Sequence, residues 1–145
     1  MPSLDNMMLR QIIMDHYENP RNHELVNDNE YQTINMDSET CIDNIDIQAK
    51  IKNGKIEDIR FDGEACAICT ASTSIMTELL IGKTIDEARE IIKNYNNMIY
   101  EKDYDPDVLE EAIAFMNTHK QANRIKCATL GWMGITKLID ESEKK

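Results

Sequence analysis

The segment IDIQAKIKNGKIEDIRFD, residues 45–62, decides the fold of this chain. Its first half alternates polar residues with apolar ones at Ile45, Ile47, Ala49 and Ile51. This two-residue period predicts a half-buried strand. Asn53 and Gly54 follow, and because both tolerate positive φ they predict a tight hairpin turn. The segment therefore predicts two antiparallel strands in the middle of the chain.

The return strand is predicted over Lys55–Asp62. Ile56 is out of phase with Ile59 and Phe61, which indicates a β-bulge. A further strand is predicted at Tyr31–Met36, where β-branched and aromatic residues gather. These strands predict a three-stranded antiparallel sheet.

Helical spacing and capping residues mark the rest of the chain. Thr84 and Glu87 form a capping box, and Asp105 is followed by a proline at the first helical position. The predicted helices span Ser3–Tyr17, Ala67–Ile81, Ile85–Met98, Pro106–His119 and a last segment capped by Asn123. The fold class is therefore α+β, with the sheet packed against about five helices in one domain, residues 1–145.

Composition narrows the function classes. The chain has 145 residues and a formal net charge of −11, with no cluster of Lys and Arg along the sequence. Such a surface repels phosphate, which argues against nucleic-acid binding and favours a basic protein partner. With no signal-peptide core and no long apolar run, we expect a cytoplasmic protein that does not enter membranes. Thiols are normally reduced there, so four cysteines point to metal or sulfur chemistry.

Three cysteines and one aspartate occupy predicted junctions of secondary structure: Cys41, Asp43, Cys66 and Cys127. Three thiolates and one carboxylate make a tetrahedral metal site chemically reasonable. Cys66 precedes a predicted helix and Cys127 is predicted in the first turn of the last one. Helix N-termini favour the thiolate, so both are expected to ionise readily. The alternative is that each cysteine is a small apolar core residue.

Cys66 and Cys69 form a CxxC at a helix start, a pattern also found in thioredoxin-like oxidoreductases. No βαβ unit follows, which weakens the redox interpretation, and simple packing of Cys69 is favoured. His16 on the first helix is expected to pack or to form hydrogen bonds rather than to bind a metal.

Four segments resemble the IscU/NifU N-terminal family of iron–sulfur cluster assembly proteins. They are DHYENPRN at 15–22, CID at 41–43, GEACAI at 63–68 and RIKCATLGW at 124–132. The last segment is similar to the SufU branch, because Lys126 stands where IscU proper has a histidine and the LPPVK chaperone-docking motif is absent. Two positions depart from the family: Ile42 replaces a glycine, and Cys69 stands where serine is usual.

The resemblance implies a zinc ion bound by Cys41, Asp43, Cys66 and Cys127. It also implies a SufS-type cysteine desulfurase as partner, with Cys41 as the acceptor of persulfide sulfur, and other SUF assembly proteins or apo iron–sulfur proteins downstream. The protein would then be no stand-alone enzyme but at most a zinc-dependent sulfurtransferase.

Three other hypotheses stay open at this point. The same thiols, Cys41, Cys66 and Cys127, would hold a transient [2Fe–2S] cluster if the protein is a scaffold. A zinc-stapled interaction module would have no sulfur chemistry. A CxxC oxidoreductase would form a disulfide between Cys66 and Cys69 and bind no metal.

Overall fold

The computed structural model describes residues 6–39 and 42–144. The described α-helices are α1 (Asn6–Glu18), α2 (Ala67–Leu80), α3 (Ile85–Ile99) and α4 (Ala122–Glu143). The strands are β1 (Gln32–Asp37), β2 (Asn44–Lys52) and β3 (Lys55–Glu64). They form one antiparallel sheet in the order β1-β2-β3, and the predicted α+β fold is confirmed.

The hairpin between β2 and β3 is built as its sequence predicts. Asn53 and Gly54 both have positive φ, at 54° and 73°. The register shifts after Lys50, which pairs with Asp58 while Ile51 pairs with Ile56. This bulge leaves Glu57 without a partner in the ladder and returns Ile56 to the buried face, where it is fully buried.

The core lies between one face of the sheet and helices α2, α3 and α4. Ile47, Ile59 and Phe61 line the sheet face, and Tyr95 of α3 stacks on Trp132 of α4 with ring centroids 3.8 Å apart. The described residues include no helix of the length and apolarity needed to cross a membrane.

The segment after α3 differs from the prediction. In place of one helix over Pro106–His119 there are three short 3-10 helices, Pro106–Val108, Glu110–Phe115 and Thr118–Lys120. Glu110 has a φ of 47°, and a left-handed residue there interrupts the right-handed hydrogen-bond ladder. The capping signal at Asp105 is real, since its side chain accepts from the backbone N–H of Asp107, but it opens only one turn.

The last helix also begins differently. It starts at Ala122, and Gln121 at its N-cap makes no side-chain capping bond, so the predicted cap at Asn123 is wrong. The third 3-10 turn leads directly into α4 and leaves no room for a separate cap. The remaining boundaries agree with the prediction to within a residue or two where they are described; residues 3–5 of the predicted first helix lie outside the described residues.

Candidate metal centre

The sheet register brings Asp43 and Cys66 together. Asn44 pairs with Glu64 and Ile45 with Gly63, so the chain just before β2 lies beside the chain just after β3. Gly63 has a φ of 137°, and a Cβ atom there would lie 2.3 Å from the carbonyl oxygen of Asn44. Only glycine fits so close an approach of two backbones. The glycine of the GEACAI segment therefore serves the geometry of the site.

Asp43 holds the start of α2 in place. Its Oδ1 accepts the backbone N–H of Cys66 at 2.7 Å, and the Cys66 thiol lies 3.7 Å from Oδ2. Cys66 is the N-cap residue of α2, and its Sγ accepts the backbone N–H of Cys69 at 3.4 Å. Asp43 is fully buried and Cys66 is partly exposed. A loop and a helix N-terminus thus position one carboxylate and one thiol.

Cys127 approaches the same point from α4. A hydrogen-bond network fixes α4 against α2: Ser72 Oγ and Tyr95 Oη both donate to the carbonyl of Ala128, at 2.6 and 2.7 Å, and Trp132 Nε1 donates to Ser72 Oγ at 3.1 Å. Ala128 directly follows Cys127. The buried hydroxyls and the indole therefore set where this thiol lies relative to α2.

Asp43, Cys66 and Cys127 offer ligand atoms that all lie within 4.8 Å of one another. The structure thus brings together three of the four residues predicted from sequence. Cys41 lies outside the described residues. Its neighbour Ile42 is exposed, with 68% of its surface accessible, although it is a large apolar residue.

The expectation that Cys127 ionises readily is wrong for the metal-free protein. Cys127 lies more than one turn after the start of α4 at Ala122, too deep for the exposed N–H groups of the first turn to stabilise a thiolate. Burial, followed by hydrogen bonding with Asp43 and Cys66, raises the pKa of the Cys127 thiol well above its usual range. The error arose from placing the helix start too late.

A groove of about 860 Å³ opens beside the thiols, between α1 and the starts of α2 and α4. Among the described residues its lining includes Cys66, Cys127 and three cations, Arg10, Arg124 and Lys126, but no acidic side chain. The three cations are exposed. This groove is therefore basic in a chain whose formal net charge is −11. Sequence alone did not reveal it, because Arg10 and Arg124 are far apart in the chain.

His16 lies in a second cluster. It is fully buried; its Nδ1 is 2.8 Å from Ser74 Oγ, and its Nε2 is 3.2 Å from a carboxylate oxygen of Glu111 and 3.9 Å from one of Glu78. The expectation that His16 packs and forms hydrogen bonds is confirmed. The two glutamates were not predicted, because they reach His16 from other elements.

Comparison with known families supports this picture. The model of the NifU-like N-terminal domain matches residues 8–141. The chain belongs to this family. The family prediction is therefore confirmed over nearly the whole chain.

Members of the NifU-like family with curated names or solved structures are clearly similar. The zinc-dependent sulfurtransferase SufU of Bacillus subtilis is 39% identical over 137 residues, covering 94% of this chain and 92% of that protein. The iron–sulfur cluster assembly scaffold protein IscU of Streptococcus pyogenes is 33% identical, covering 94% and 86%. A crystal structure of a putative scaffold protein for the SUF system from Fervidobacterium islandicum has a TM-score of 0.78 at 33% identity, covering 87% of this chain and 92% of that one.

Proposed function

We propose that this protein acts in iron–sulfur cluster assembly as a zinc-binding acceptor of sulfur from a cysteine desulfurase. The observation that carries the proposal is the convergence of Asp43, Cys66 and Cys127 within 4.8 Å in a NifU-like domain. The named sulfurtransferase and scaffold relatives support it.

The donor set fits zinc. Thiolates and a carboxylate are ordinary zinc ligands. Burying the carboxylate of Asp43 completely is costly unless it is well paired, and a divalent cation between it and two thiols would neutralise the charge. Asp43, Cys66 and Cys127 would bind the ion, with Cys41 as the fourth ligand expected from the family. When bound, zinc supplies a charge that keeps the thiols deprotonated at neutral pH.

The basic groove suggests how a desulfurase would approach. Arg10, Arg124 and Lys126 line the groove that leads to Cys66. An acidic segment of the partner complements these charges. The chain as a whole has a formal net charge of −11, which suits a basic partner surface farther from the groove. The exposed Ile42, which follows Cys41 in the sequence, offers an apolar contact to the partner as well.

The transfer itself is a thiol exchange. The thiolate of Cys41 attacks the outer sulfur of the desulfurase persulfide, a new S–S bond forms at Cys41, the old one breaks, and the desulfurase leaves as a thiolate. Asp43 is placed to steady the neighbouring backbone of Cys66 throughout, through the 2.7 Å hydrogen bond. Cys41 as acceptor follows from the family resemblance.

Persulfide mapping tests the proposal. The protein is incubated with a SufS-type desulfurase and cysteine, alkylated and digested with trypsin, which separates the cysteines into peptides 22–50, 61–83 and 127–137. We expect a peptide 22–50 that is heavier by about 32 Da, one sulfur atom. Desulfurase turnover should rise with the native protein, stay at the basal rate with Cys41→Ser, and rise normally with the control Cys69→Ser. Turnover that the native protein leaves unchanged would overturn the proposal.

A scaffold role is the second candidate. The paired thiols of Cys66 and Cys127 support it, since thiolates also hold iron–sulfur clusters, and one relative is named as a scaffold. The cargo would be a transient [2Fe–2S] cluster on Cys41, Cys66 and Cys127, delivered to apo iron–sulfur proteins. Anaerobic reconstitution with iron and sulfide, followed by visible absorption and transfer to an apo-ferredoxin, tests it. A cluster that forms but never transfers would contradict the scaffold role.

A further inference from the structure

Cys69, the second cysteine of the CxxC pair at the start of α2, has no part in the proposed sulfur transfer. Cys66 caps the helix in an extended conformation, with φ −69° and ψ 170°, and its Sγ accepts the N–H of Cys69 at 3.4 Å. The sulfur of Cys66 therefore sits over the first helical turn, from which the side chain of Cys69 projects. Two cysteines in this relation at a helix N-terminus are the arrangement of disulfide-forming CxxC motifs.

The two thiols differ in access. Cys66 is partly exposed and lines the groove of about 860 Å³, whereas Cys69 is fully buried. A soluble oxidant reaches Cys66 but not Cys69. The buried thiol can react only with a group already formed beside it, which is the role of a resolving cysteine.

We propose that Cys66 and Cys69 form a reversible oxidation site for peroxide. In the first step the thiolate of Cys66 attacks hydrogen peroxide, the O–O bond breaks, hydroxide leaves, and Cys66 becomes a sulfenic acid. In the second step the thiol of Cys69 attacks that sulfur, the S–O bond breaks, and water leaves as the disulfide forms. Two electrons pass from the two thiols to one peroxide, and a dithiol reductant returns them to the pair.

Among the described cysteines Cys127 is the competing partner, because its sulfur lies within 4.8 Å of the Cys66 sulfur. However, Cys127 belongs to α4, whose backbone at Ala128 is held by hydrogen bonds from Ser72 and Tyr95. Bringing Cys127 to bonding distance moves a helix against that network. Cys66 lies in extended backbone just before α2, and only its side chain has to rotate toward the first turn of that helix. Cys69 is therefore the favoured partner.

The disulfide has a consequence that rests on the proposed function. A thiol engaged in a disulfide no longer binds zinc as a thiolate, so oxidation of Cys66 removes one ligand and releases the metal. The site would then exist in two states, a metal-bound dithiol and a metal-free disulfide. Peroxide would thereby stop sulfur acceptance without permanent damage to the thiols.

Peptide mapping of the native protein tests the oxidation site directly. Metal-free and zinc-loaded protein are treated with a small excess of hydrogen peroxide, alkylated and digested with trypsin. Cys66 and Cys69 both fall in peptide 61–83. Their disulfide therefore appears as one peptide without alkyl groups, about 2 Da lighter than the unalkylated dithiol peptide. A bond from Cys66 to Cys127 instead joins peptides 61–83 and 127–137. We expect the internal disulfide to exceed the cross-link roughly tenfold.

The variant Cys69→Ser serves as the control, and Cys69→Ala replaces it if the buried hydroxyl prevents folding. In the zinc-loaded native protein we expect metal release in step with the disulfide and full metal rebinding after dithiothreitol and fresh zinc. In the variant we expect Cys66 to proceed to sulfinic acid, with metal release that dithiothreitol does not reverse.

The outcomes separate this inference from the proposed function. Absence of the internal disulfide in metal-free native protein, or a dominant cross-link to peptide 127–137, would overturn the oxidation site and leave zinc-dependent sulfur transfer standing. The internal disulfide in a protein that binds no zinc would support the site and contradict the proposed function.

Discussion

Two clusters in this molecule look alike by distance and differ in chemistry. The thiol cluster consists of Asp43, Cys66 and Cys127, and the histidine cluster consists of His16, Glu78 and Glu111. In each, three potential metal ligands lie within 4.8 Å of one another. In the thiol cluster Asp43 is fully buried and both sulfurs border a groove. In the histidine cluster the imidazole is buried and both glutamates are exposed.

The hydrogen bonds of His16 explain the difference. Ser74 Oγ accepts the backbone N–H of Arg21 at 2.9 Å and lies 2.8 Å from Nδ1 of His16. Nε2 of His16 lies 3.2 Å from Oε1 of Glu111. Both ring nitrogens already have hydrogen-bond partners within the protein, so a metal ion could bind His16 only by breaking one of these hydrogen bonds. Proximity of ligands is therefore not sufficient for a metal site, because the hydrogen bonds that the ligands already make also count.

The largest expected difference between the clusters is in metal content. Cys127→Ser should lower zinc affinity by more than about 100-fold, since even groups that only support metal ligands are worth roughly 10- to 100-fold. The matched change in the other cluster, Glu111→Gln, should leave zinc at the native level. Elemental mass spectrometry on protein purified without chelators measures both. Zinc lost from the glutamine variant, or kept by the serine variant, would reverse the assignment of the two clusters.

The next largest effect is expected on the free energy of unfolding, from a change in the histidine cluster. His16→Ala removes a fully buried, hydrogen-bonded ring that links α1 to α2, and should lower the free energy of unfolding by about 2–4 kcal/mol. Zinc stoichiometry should not change. Urea titration of both proteins, with metal analysis on the same samples, checks this. A variant that unfolds like the native protein but has lost its metal would show that His16 acts at the metal site.

A smaller effect is expected from the contact between α4 and α2 that positions the thiol of Cys127. A Cβ atom on Gly131 would lie 2.4 Å from Oγ1 of Thr73, a short branched side chain on α2, whereas at Gly134 the nearest atom is the flexible end of Ile47. Gly131→Ala should therefore lower the free energy of unfolding by about 1–2 kcal/mol, after allowance for the gain in helix propensity. It should also weaken zinc binding several-fold, because Gly131 lies one turn from Cys127.

Gly134→Ala is the control for that prediction, since it adds the same methyl group to the same helix. Its stability should stay within about 1 kcal/mol of the native value, and its zinc affinity should be unchanged. Competition with a chromophoric chelator gives the affinity, and thermal unfolding gives the stability. Equal effects of the two alanines on zinc would mean that the α2–α4 contact does not control the site.

The parts of the fold that local sequence predicts are those with local causes. Asn53 and Gly54 specify their turn because both accept positive φ. The break in the apolar alternation at Ile56 predicts the bulge. The prediction of one helix over Pro106–His119 was wrong because the geometry of this segment is set by packing. Ala112 and Phe115 are buried there, while Glu110 takes a left-handed conformation that its sequence does not announce.

The candidate site divides in the same way. Asp43 and Cys66 lie near strand ends, as the sequence predicts, because the patterns of β2 and β3 are clear. The pKa of Cys127 was misjudged because its helix begins earlier than the capping residues suggest. The cations of the groove and the glutamates near His16 come from distant parts of the chain. Their proximity depends on how α1 crosses α2 and α4, which no local pattern encodes.

The smallest expected effect concerns the exposed rim of the histidine cluster. Arg21 donates to Asp15 at 2.7 Å and also approaches Glu78 at 3.8 Å. This hydrogen bond to Arg21 holds the pKa of Asp15 below its usual value of 3.8. Because the folded pKa is depressed, the stabilisation is present above 3.8 and is lost as the pH falls through the folded value. Asp15→Asn should therefore lower the urea midpoint slightly at about pH 7 and not at about pH 2. A difference that persists at the lower pH would show that Asp15 contributes through packing rather than charge, and zinc content should stay at the native level at neutral pH in either case.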